Sequence, residues 1–154
     1  DVLCELDAAN ASVYTANNAA YQSDLDGLDE ALSTLSANAL RHTLIFAERF
    51  PFRYLAEDYG FTYYAAFPGC SSDTEPSLAT IAFLVNKIEE EDIPAVFIIE
   101  FSKGSAAKSI QDATGCEILL LHSCHNLTRA EWDAGESYLS LMRANIENLR
   151  KALY

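Results

Sequence analysis

Residues 122 to 125 read His-Ser-Cys-His, directly after the aliphatic run Ile118 to Leu121. Two of the chain's three histidines and one of its four cysteines therefore fall within four positions. Imidazole, thiolate and carboxylate are the side chains that hold zinc, and an imidazole beside a thiol is also the minimum for covalent catalysis. A run that is apolar at every position reads as a strand buried on both faces, as in a parallel sheet. In such sheets ligands bind outside the carboxyl ends of the strands. The residues that follow each aliphatic run are thus the candidates: Glu48 and Arg49, then Cys70 and Asp73, then Glu100 and Lys103, then His122, Cys124 and His125.

That set suits a divalent cation. The competing reading is that these are ordinary solvated loop residues, since such loops are polar in any case. A nucleophilic pair drawn from Cys70 or Cys124 with His122 or His125 is harder to build, because neighbours on one loop seldom face each other. The chain has no GxSxG elbow, HExxH helix or phosphate-binding loop. A binding protein is therefore the first reading and not an enzyme; a small α/β metal-dependent hydrolase, with a carboxylate as general base, is the alternative. His42 opens the first strand, at the opposite edge, and reads as structural.

The elements that must position these residues follow from periodicity. Tyr21, Leu25, Leu28, Leu32 and Leu35 are spaced by four, three, four and three, which marks one face of a helix. With Ala9 to Tyr14 leading in, it predicts a helix of roughly thirty residues, far longer than average. Strands are expected over 42–47, 61–66, 94–100 and 117–122. Between them lie a short helix from Pro51 to Gly60, a helix opened by Pro76, and a helix stopped by Gly115. Thr128 and Glu131 have the spacing of a capping box and open a closing helix that carries Tyr138, Met142, Ile146, Leu149 and Leu153 on one face. Strands alternating with helices imply a three-layer α/β sandwich around a mainly parallel four-stranded sheet, preceded by the long helix.

The 154 residues amount to about one domain, and half of them are apolar. Acidic residues outnumber basic ones 23 to 10, for a formal charge of −13. With so few and such scattered cations, nucleic acid is excluded as a partner. The four cysteines form no CxxC pair.

Residues 48 to 88, from Glu48 through Tyr59-Gly60 and Glu75-Pro76-Ser77 into a long helix, resemble the C-terminal lobe of the extracytoplasmic substrate-binding proteins of zinc and manganese ABC transporters. Residues 113 to 153 resemble that family's ending, with Thr114-Gly115, a strand, a ligand loop, and Tyr138-Leu139-x-x-Met142-x-x-Asn145 on the last helix. Residues 10 to 40 are similar to the helix that links the family's two lobes. The resemblance implies a division into a linker helix (1–40) and a C-terminal lobe (41–154). It also implies an N-terminal lobe outside this chain, a lipid anchor there, a membrane permease as partner, and zinc, or alternatively manganese, as the captured ion. By position, the family's histidine ligand falls on Arg49, which has no lone pair to give, so the neighbouring Glu48 is the expected substitute. The family's acidic ligand falls at His125. His122, Cys124, Glu100 and Arg49 are left as outer-layer residues or alternative ligands. An extracytoplasmic location leaves two states open for Cys70 and Cys124, a disulfide or two unlinked thiols.

Overall fold

The computed structural model describes residues 1–67 and 76–154. The chain opens with α1 (Val2–Leu6), a 3-10 turn (Ala8–Asn10) and α2 (Ala11–Asn38). It then alternates: β1 (Thr43–Arg49), α3 (Arg53–Asp58), β2 (Thr62–Phe67), α4 (Leu78–Glu91), β3 (Ala95–Ile98), α5 (Ser105–Thr114) and β4 (Glu117–Leu120). Two helices close it, α6 (Arg129–Ala134) and α7 (Tyr138–Leu153).

All three strand pairings are parallel, in the order β2-β1-β3-β4. Alternate residues of each strand enter two separate cores. Leu44, Phe46, Phe97 and Leu119 face Leu28, Leu32 and Leu35 of α2 and Met142, Ile146, Leu149 and Leu153 of α7. Ile45, Ala47 and Val96 face Leu84 and Ile88 of α4 and Ile110 of α5. Both faces being covered is the physical reason the strands are apolar at successive positions. Each fully buried Leu, Ile or Phe contributes about 1.5–3 kcal/mol of transfer free energy.

The helix boundaries correct several sequence expectations. Pro51 lies before α3, whose N-cap is Phe52. Pro76 lies before α4, where the Ser77 hydroxyl accepts from the Thr80 N–H at 3.1 Å. The capping box at Thr128 and Glu131 is present, but it opens only the short α6. Gly135, with φ +75, ends α6 in the left-handed region, and Ser137 with Ser140 caps α7 separately. Tyr21 and Tyr138, both expected on apolar faces, are exposed. The buried stripe of α2 begins at Leu28, so its first half stands clear of the sheet. Among the described residues no helix is long and apolar enough to cross a membrane.

Candidate metal site

The strand order sets where the site lies. After β1 the chain goes outward to β2, then returns to place β3 on the other side of β1. The crevice outside the carboxyl ends of β1 and β3 is thus the topological switch point, the position at which open α/β sheets bind ligands. A cleft of about 730 Å³ opens there. Glu48 and Arg49 line it from β1, Glu100, Ser102 and Lys103 from the loop after β3, and Ser123, His125 and Asn126 from the loop after β4.

Glu48 is held by a register shift in the β1–β2 ladder between Phe46 and Arg49. Below it, Phe46 packs edge-on against Phe50 at 4.9 Å and against Phe97 at 5.4 Å, which pins the end of the strand. The Ser102 hydroxyl donates to Glu48 Oε1 across the switch point and accepts from the Gly104 N–H at 2.8 Å. Glu100 is tied in the same manner: Ser123 donates to it from its N–H (2.8 Å) and from its hydroxyl. Burial pushes the Glu100 carboxyl up, but the Ser123 hydroxyl and N–H outweigh it and hold the group below its ordinary value. Both carboxylates line the cleft, and Arg49 and Lys103 on the same walls offset their charge.

His125 is exposed. Its N–H approaches the Ser123 hydroxyl at 3.3 Å, and its Nδ1 lies 3.4 Å from the Asn126 amide, too far to fix the ring's tautomer. His122 and Cys124 are placed differently, and neither lines the cleft. His122 is 2% exposed. Cys124 packs against the core that α2 and α7 cover, and its thiol donates to the His122 carbonyl at 3.7 Å. Burial and then the nearby Glu100 charge push that thiol up, which disfavours the thiolate a metal needs. Cys70 falls in 68–75, so its pairing with Cys124 lies outside the described residues. Cys4 lies on α1 and Cys116 just before β4, both away from this edge. His42 Nε2 lies 3.2 Å from the Ser36 carbonyl at the opposite edge of the sheet.

Sequence reasoning placed Glu48, Glu100 and His125 at one edge, and the structure brings them to one cleft. It did not single out Ser102 and Ser123, the hydroxyls that orient the two carboxylates. Their positions directly after the third and fourth strands were the available signal. Among the described residues no three His, Cys, Asp or Glu side chains converge to hold a metal ion.

The comparisons with known proteins agree with this architecture. The chain is 27% identical to the high-affinity zinc uptake system protein ZnuA of Bacillus subtilis over 147 residues, 96% of this chain and 46% of that protein. It is 30% identical to the zinc-binding lipoprotein AdcA of Streptococcus pneumoniae over 138 residues, 90% of this chain and 27% of that one. The solved structure of the Zn(II)-bound ZnuA-like domain of Streptococcus pneumoniae AdcA superposes with a TM-score of 0.80 at 28% identity, covering 99% of this chain and 57% of that chain. The chain thus spans from about a quarter to little more than half of these relatives' lengths. The family model described as zinc-uptake complex component A, periplasmic, matches residues 1–152, and the chain belongs to that family.

Proposed function

We propose that the chain is the C-terminal lobe of an extracytoplasmic metal receptor and carries half of its ion site. The ion is zinc in the first place and manganese in the second, and the receptor delivers it to an ABC transporter permease in the membrane. The observation that carries this reading is the cleft at the switch point, which collects Glu48, Glu100 and His125 from three different strand ends. Glu48 and His125 are the assigned ligands. Imidazole beside carboxylate favours zinc over the harder, oxygen-preferring ions. Two donors fill half of a tetrahedral sphere, so the remaining positions belong to an N-terminal lobe or to water.

The exposed first half of α2 supports the role of a connector between lobes, with residues 41–154 as the lobe itself. The lipid anchor belongs to the part of the receptor outside this chain. In this role the site binds and releases its ion without chemistry.

Glu48→Gln tests the assignment at its carboxylate ligand. The substitution keeps an acceptor for the Ser102 hydroxyl and removes only the charge. Zinc affinity, titrated by calorimetry, is expected to fall tenfold or more. An unchanged affinity would remove Glu48 from the ligand set.

A further inference from the structure

His122 is 2% exposed, and its two ring nitrogens stand in different settings. Its Nδ1 accepts from the Cys124 N–H at 2.9 Å. An accepting Nδ1 puts the ring proton on Nε2. That Nε2 has no hydrogen-bond partner within ordinary range and lies 3.5 Å from Glu131 Oε1. The contact is a loose one, an electrostatic approach rather than a formed hydrogen bond. Glu131 uses its two oxygens for different purposes: Oε2 accepts from the Thr128 N–H and hydroxyl at 2.7 Å each, leaving Oε1 for the imidazole. The backbone of His122 is clamped as well, its N–H and carbonyl pairing with Asn145 at 2.7 and 2.8 Å.

The bond to Cys124 matters because Cys124 has φ +60, a left-handed conformation that L side chains rarely adopt. Such a residue persists only where its surroundings over-determine it. An acceptor two residues upstream supplies that constraint, as an Asn or Asp side chain does in an Asx turn. The next residue is His125.

We propose that His122 is a positioning residue for His125. Clamped to α7 through Asn145, it fixes the left-handed turn at Cys124, and the turn aims the following imidazole at the cleft. The proposal rests on the reading of His125 as a zinc ligand. Outer partners that orient a metal ligand change affinity by roughly 10–100-fold when removed.

The test compares two substitutions. His122→Asn places an oxygen where Nδ1 stands and keeps an acceptor for the Cys124 N–H. His122→Leu keeps a side chain of similar bulk in the buried space but leaves that N–H without a partner. Two readouts are followed in the chain: hydrogen exchange at the Cys124 amide, and zinc affinity by calorimetry. His122→Leu is expected to lose protection at Cys124 and to bind zinc at least tenfold more weakly, while His122→Asn keeps both near the parent values. Leu behaving as well as Asn in both readouts, or better, would make His122 a packing residue and overturn the proposal. The exchange readout is independent of metal. Differential protection at Cys124 with zinc binding indifferent to His125→Ala would uphold the turn and sink the ligand assignment instead.

Discussion

At Arg49 a guanidinium stands on the cleft wall one residue beyond Glu48, at the position where the family resemblance expects an imidazole ligand. Arginine stays protonated and has no lone pair to offer a metal, and its charge also opposes a divalent cation nearby. Arg49→His removes the opposing charge and adds a nitrogen donor. The substitution is expected to raise the chain's zinc affinity by at least tenfold in a calorimetric titration; a fall or no change would place position 49 outside the ion site. Single residues at strand ends, such as Glu48 and His125, were legible in the sequence because aliphatic runs mark where each strand stops. Ser102 and Ser123 were not, because a serine in a polar loop has no distinguishing neighbours. Only the fold brings Ser102 to Glu48, 54 positions away in the chain.

Elements were legible to the extent that their signals are local. The four strands and the Thr128–Glu131 capping box can be found by inspection, because each depends on residues within a few positions of one another. Long-range ties between elements are a different matter. Asn145 on α7 is 2% exposed and pairs with both backbone groups of His122, 23 residues away. Nothing local distinguishes it from an exposed helix asparagine. Asn148, one turn along, donates to the Leu120 carbonyl at 2.8 Å, so α7 is stitched to the end of β4 at two levels. Asn145→Ala leaves a buried N–H and a buried carbonyl without partners, at a cost of roughly 3 kcal/mol. A lower urea midpoint with an unchanged slope is the expected result. A loss below ~0.5 kcal/mol would mean that water or a shifted loop replaces the amide. Gly135 illustrates the opposite failure. Its left-handed conformation divides what the apolar spacing suggested was one helix, because a helical period does not register a stop that falls between two well-formed stripes.

Across the whole molecule, the parallel sheet and its two covered faces make a rigid platform that does not require an ion. The cores on either side of the sheet are built almost wholly from aliphatic and aromatic side chains, and none of the assigned ligands belongs to them. The chain is therefore expected to fold without metal. Its strand order could not be read from the alternation of elements, which is compatible with several orders. The order decides the location of the site, because it puts the switch point between β1 and β3 and so brings Glu48 within reach of the loops carrying Glu100 and His125. A structural zinc site with a full set of protein ligands has an apparent binding energy of ~10–16 kcal/mol. Half of that set, open to water, leaves a dissociation constant on the order of micromolar or weaker. Calorimetric titration of zinc into the chelator-treated chain, alongside its His125→Ala variant, tests this most directly. Weak binding that drops further in the variant is the predicted result, whereas nanomolar binding indifferent to His125→Ala would contradict the half-site.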